Sequence, residues 1–82
     1  MSSLRGINKM QVEIYGSDGC GFCEKAVDLA EELCLDYTYV DANNAMIEFS
    51  RLFPGAKTVP QILVNGEWVG GYSDFEEVME YI

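Results

Sequence analysis

The sequence predicts an α/β domain of order β-α-β-α-β-β-α with a four-stranded mixed sheet. Three observations carry that reading. A β-branched and aromatic run at Val12 to Tyr15 stops at the turn-forming Gly16-Ser17-Asp18-Gly19. The next stretch repeats its apolar residues at three- and four-residue spacing. Later, Asn65-Gly66 separates two short apolar runs, a hairpin signal because both positions tolerate positive φ.

The first strand, Val12 to Tyr15, is followed by a helix from Gly21 to about Cys34. Phe22, Ala26, Val27, Ala30, Leu33 and Cys34 form its apolar stripe, and Glu24, Lys25, Asp28, Glu31 and Glu32 its polar side. Tyr37 to Val40 reads as the second strand. Asp41 to Asn44 offers caps for a second helix with Met46, Phe49, Leu52 and Phe53 inward, stopped by Pro54-Gly55. Ile62 to Val64 and Glu67 to Val69 are the hairpin strands, ended by Gly70-Gly71. Ser73, with Glu76 three residues on, predicts a capping box for a last helix that buries Phe75, Val78, Met79 and Ile82. The first β-α-β is a parallel crossover and the hairpin supplies antiparallel neighbours.

With 82 residues the chain supports one modest core, since so short a polypeptide buries roughly 60–65% of its unfolded surface. Apolar residues at 49% and aromatics at 12% are too many for a disordered acidic tail. The net charge of −9 repels a phosphate backbone, so no nucleic-acid partner is expected. Apolar runs fall far short of the roughly 20 residues that cross a bilayer, and no block near Met1 resembles a signal peptide. The expectation is a soluble cytoplasmic protein without a membrane partner. Residues 1–9 precede the natural strand start at Met10 and read as an extension or cloning remnant, leaving 10–82 as the domain.

Three cysteines cannot all pair within one chain, and two lie three residues apart, which suits a reversible dithiol in a reducing compartment. Cys20 at the first helical turn and Cys23 one turn on have α-carbons within the roughly 4.4–6.8 Å that a disulfide spans. Helix-terminal N–H groups and the positive dipole end favour the Cys20 thiolate, so Cys20 is the expected nucleophile. A zinc site usually takes four sulfur or nitrogen ligands, whereas this chain has no His and one further Cys. No metal is expected. Gly70 and Gly71 permit close backbone approach, and the helix N-terminus at Ser73-Asp74 suits a carboxylate.

Three motifs, Cys20-Gly21-Phe22-Cys23, Thr58-Val59-Pro60 and Gly70-Gly71-Tyr72-Ser73-Asp74, follow one another in an order that resembles the glutaredoxins, the dithiol branch of the thioredoxin superfamily, across Met10 to Ile82. The resemblance implies a thioredoxin-like fold and an enzyme that reduces protein disulfides and glutathione mixed disulfides, with glutathione as reductant and co-substrate. It implies a cis peptide before Pro60, with Val59 facing the cysteines and pairing strand-like with the cysteinyl part of glutathione. The Ser73 and Asp74 backbone would hold the γ-glutamyl carboxylate and the Asp74 side chain the amino group. Phe22, Thr58, Pro60, Gly71 and Tyr72 would complete the surface, and Lys57 is the candidate for the glycyl carboxylate. Disulfide-bearing proteins, ribonucleotide reductase among them, are the implied partners of a monomer.

Departures from the family pattern are informative. Gly21 and Phe22 stand where many glutaredoxins have Pro and Tyr, and Ser17 where several carry a cation. Some relatives without that Pro hold a [2Fe–2S] cluster between two chains, so cluster binding is one alternative. A thioredoxin-like donor fed by a reductase is the other, opposed by the absence of Trp before Cys20. Cys34 reads as a small buried hydrophobe, and Trp68, Tyr37 and Tyr39 as packing residues without a site role.

Overall fold

The computed structural model describes residues Met10–Tyr81. The extension at 1–9 and the inward position expected of Ile82 lie outside the described residues. Strands β1 (Gln11–Gly16), β2 (Asp36–Asp41), β3 (Gln61–Val64) and β4 (Glu67–Gly70) form a sheet of order β2-β1-β3-β4. Helices α1 (Gly21–Glu32), α2 (Met46–Leu52) and α3 (Tyr72–Glu80) complete it. The pairing is parallel for β1 with β2, Gln11 opposite Asp36 through Gly16 opposite Asp41, and antiparallel for β1 with β3 and β3 with β4. The mixed thioredoxin-like sheet is therefore as expected.

Alternation along β1 divides the core, because successive side chains of a strand point to opposite faces. Val12 and Ile14 join Ile62, Val64, Ala26, Ala30 and Phe75 between the sheet and helices α1 and α3. Tyr15 and Leu63 pack on the other face with Phe53, beside Phe49 and Leu52 of α2. Phe53, Phe75, Ile14 and Ile62 are completely buried, each contributing about 1.5–3 kcal/mol of burial. The hairpin turn forms as predicted, with Asn65 at φ 52° and Gly66 at φ 84°. Asn65 also ties the turn to β1: its N–H donates to the Gln11 carbonyl at 2.7 Å and its Oδ1 accepts the Gln11 N–H at 3.0 Å. Among the described residues no helix is long and apolar enough to cross a membrane.

Several boundaries differ from the sequence reading. Helix α1 ends at Glu32, before Cys34. The Cys34 N–H donates to the Glu31 carbonyl at 3.0 Å and the Leu35 N–H to Ala30 at 2.9 Å, with Cys34 at φ 58°, which is a Schellman closure. That closure turns Cys34 off the inward stripe and exposes it, so its burial expectation is corrected. Leu33 and Phe22, expected on the same stripe, are exposed as well. Asp41 caps a 3-10 turn, Ala42–Asn44, by accepting the Asn43 N–H at 3.0 Å, and α2 itself starts at Met46 without a side-chain cap. Met46 faces solvent instead of the core, because α2 begins one turn later than its capping residues suggested.

Candidate functional site

The turn after β1, with Gly19 at φ 77°, delivers Cys20 to the N-cap position of α1. An N-cap side chain accepts from the orphan N–H groups of the first turn, and here a sulfur does so: Cys20 Sγ accepts the Cys23 N–H at 3.2 Å. The same thiol donates to the Val59 carbonyl at 3.7 Å, across the sheet end from α1. The Val59-Pro60 peptide is cis, and the Val59 carbonyl is turned toward Cys20.

The two sulfurs have unlike surroundings. Cys20 is half-buried, whereas Cys23 is buried at 1% exposure against Gly16. Burial, followed by its bond with Cys20, pushes the Cys23 thiol up to about 11, while the Ser17 backbone and the Tyr39 hydroxyl act in the opposite direction. Cys23 is thus a protonated thiol near neutral pH, and Cys20 is the sulfur open to an incoming disulfide. Both are free thiols, so this is the reduced dithiol.

A cleft of about 670 Å³ opens beside Cys20. Phe22 forms one rim, its ring tilted against that of Tyr72 with centroids 6.0 Å apart, and Lys25 Nζ stands 5.2 Å from the Phe22 ring centroid. Thr58, Val59 and Pro60 make the floor, and Gly71, Tyr72, Ser73 and Asp74 the far wall. Lys57 does not line this cleft; it lines the adjoining cavity with Ser17, Met46, Phe49 and Val59. The cap of α3 is Gly71, not Ser73 as expected. Asp74 is the reason: its Oδ2 accepts the Gly71 N–H at 3.3 Å, which starts the helix two residues earlier and leaves Ser73 exposed within the first turn.

Three residues of the site, Gln61, Trp68 and Tyr39, carried no site role in the sequence reading, and Gly70 gains a second one. Gly70, at φ 121°, lies so close to α3 that a Cβ there would run into the Asp74 carboxylate. Gln61 is a buried amide that donates to the Thr58 carbonyl at 3.0 Å and accepts the Trp68 indole N–H at 2.9 Å. Trp68, edge-on to Phe53 at 5.5 Å, therefore braces the Thr58-Val59 segment instead of merely packing. Tyr39 donates to the Ser17 carbonyl at 3.3 Å beside Cys23. Tyr37 does keep to a structural role, donating to Glu31 at 2.6 Å. A polar Gln heading an apolar strand was the available sequence signal for Gln61; Trp68 and Tyr39 offered none.

A reduced cysteine pair at a helix N-terminus, with one sulfur open and one buried, beside a cis-proline segment on a mixed four-stranded sheet, defines a thiol-disulfide oxidoreductase of the thioredoxin-like fold. Residues 12–69 match the glutaredoxin family profile. Glutaredoxin 1 of Escherichia coli is 41% identical over 75 residues, covering 80% of this chain and 88% of its own. The Haemophilus influenzae glutaredoxin is 38% identical over 80 residues, covering 87% and 92%. The solved structure of reduced Escherichia coli glutaredoxin superposes with a TM-score of 0.74 at 34% identity, over 87% of this chain and 94% of that one. The chain belongs to the glutaredoxin family, whose members are thiol-disulfide oxidoreductases with glutathione as the usual reductant.

Proposed function

We propose that this glutaredoxin draws its electrons from glutathione, holding it in the cleft between Phe22, Val59 and the N-terminus of α3. The observation that carries the reading is the Val59 carbonyl 3.7 Å from Cys20 Sγ, in a cleft that ends at a helix start. A strand-like backbone edge beside the reacting sulfur suits a cysteinyl peptide. The first N–H groups of α3, at Tyr72, Ser73 and Asp74, have no intrahelical acceptor and suit a carboxylate. Asp74 then serves both the Gly71 N–H and the ligand amino group. Lys57 takes the glycyl carboxylate by reaching over Thr58 from its neighbouring cavity.

Exchange proceeds by thiolate attack. The Cys20 thiolate attacks the glutathione sulfur of a mixed disulfide, the S–S bond breaks, and the substrate leaves as its thiolate. A second glutathione thiolate attacks the Cys20-bound sulfur, restoring Cys20 and releasing oxidised glutathione. With a protein disulfide, Cys23 loses its proton and attacks the Cys20 sulfur, forming the Cys20–Cys23 disulfide for glutathione to reduce. Ribonucleotide reductase is among the acceptors the proposal includes, and the chain works as a cytoplasmic monomer, in keeping with a reversible dithiol suited to a reducing compartment.

A glutathione-coupled assay on wild type, Cys20→Ser and Cys23→Ser tests the reading. Cys20→Ser loses both reactions by about a thousandfold or more. Cys23→Ser keeps turnover of a glutathionylated peptide and loses reduction of a protein disulfide. Activity that needs thioredoxin reductase and ignores glutathione overturns it. Lys57→Glu raises KM for the glutathionylated peptide; an unchanged KM removes Lys57 from the site.

A further inference from the structure

Cys23 presents a chemical difficulty that the aromatic cleft does not address. To resolve a mixed disulfide it must give up a proton and develop negative charge while completely buried, where burial favours the neutral thiol. Some hydrogen-bond donor must reach the sulfur.

Tyr39, on β2, is the candidate. Its hydroxyl and the Cys23 sulfur converge on the same face of Gly16: a Cβ built there would stand 2.6 Å from Tyr39 Oη and 2.7 Å from Cys23 Sγ. The absence of a side chain at Gly16 is what lets the two groups share the niche. In the reduced protein the hydroxyl donates to the Ser17 carbonyl at 3.3 Å, a long bond that a small rotation can exchange for the sulfur. We propose that the Tyr39 hydroxyl is the hydrogen-bond donor that stabilises the Cys23 thiolate during resolution of the mixed disulfide.

The electrostatics agree with a donor and not a base. Burial, then the charges of Cys23 and Cys20, then the Asp18 and Asp41 carboxylates, push the Tyr39 hydroxyl up to about 12, so it keeps its proton throughout the working range. From α1 the Cys23 sulfur faces Cys20, from the turn the Ser17 backbone, and from β2 Tyr39. Asp18, Glu24 and Asp28 line the hollow on the Tyr39 side and supply no donor of their own when ionised. The step balances: the Cys23 proton passes to solvent, its sulfur bonds to Cys20 Sγ, and the departing thiolate takes up a proton. Attack by Cys20 does not involve this niche, so Tyr39 serves the second half of the dithiol route alone.

The test needs no glutathione. In a Cys34→Ser background, reduced protein is mixed with the aromatic disulfide dithiobis(nitrobenzoate), which releases one coloured thiolate on Cys20 attack and another on resolution by Cys23. Tyr39→Phe, which keeps the ring, is expected to slow the second release about five- to tenfold, the effect of one hydrogen bond, and to leave the first unchanged. In Cys20→Ser/Cys34→Ser protein, NMR of the labelled Cys23 β-carbon should show the thiol titrating at higher pH once Tyr39 is Phe. A second release that keeps its rate, an equal slowing of both releases, or a Cys23 midpoint that stays or falls would each overturn the proposal.

Discussion

The two hollows that flank the first turn of α1 differ in nearly every respect. On the Cys20 side is a cleft of about 670 Å³ with Phe22, Tyr72 and Trp68 on its walls and the start of α3 at its end. On the Cys23 side is a smaller one of about 370 Å³, lined by Ser17, Asp18, Glu24, Asp28 and Tyr39. The first offers apolar faces and backbone donors to an anionic peptide ligand, and the second a ring of carboxylates that repels one. Between these hollows two sulfurs three residues apart sit in unlike surroundings, Cys20 half-buried and Cys23 buried.

The largest disturbance of the aromatic side should come from Gly70→Ala. It puts a Cβ at φ 121° and into the Asp74 carboxylate, costing about 1–3 kcal/mol in urea unfolding. KM for a glutathionylated peptide should rise about tenfold, equivalent to about 1.4 kcal/mol of binding lost at the displaced start of α3, while alkylation of Cys20 by iodoacetamide is unchanged.

Next comes the buried sulfur. Its folded value of about 11 exceeds the unfolded 9.0, so between those pH values the unfolded chain releases a proton that the folded one keeps. Stability is therefore lost as pH rises through that window, by roughly 1 kcal/mol per pH unit. Urea titrations of wild type and Cys23→Ala at pH 8 and pH 10 should show the steeper decline in wild type.

Phe22→Ala removes half of the Phe22–Tyr72 pair, worth about 0.5–1.5 kcal/mol, and should raise KM severalfold with little change in kcat. Charge reversal in the acidic hollow, Asp28→Lys, is the gentlest change: about a two- to threefold faster reaction with an anionic disulfide at low ionic strength, vanishing at high salt.

Much of this arrangement was legible in the sequence because it rests on local rules. The β1 turn, the Asn65-Gly66 hairpin and the cysteine pair announce themselves through spacing and turn chemistry, and the Val59-Pro60 and Gly70-to-Asp74 segments through resemblance. What escaped was settled by contacts distant in sequence. Cys34 looked inward by helical periodicity until the Schellman closure rotated it out. Asp74 displaced Ser73 as the organiser of the α3 start by reaching the Gly71 N–H. Trp68 and Tyr39 took their places because strand order brings β4 beside the Thr58-Val59 segment and β2 beside the end of β1.

The same strand order decides what the sheet leaves at its margins. β4 is four residues long, begins at Glu67 and pairs with β3 through a register shift at Ile62/Leu63, while β2 begins and ends in aspartate. Short, irregular and charged margins are how sheets discourage templated growth by a second chain. Together with a net charge of −9, such margins disfavour pairing of one copy's strand edge with another's.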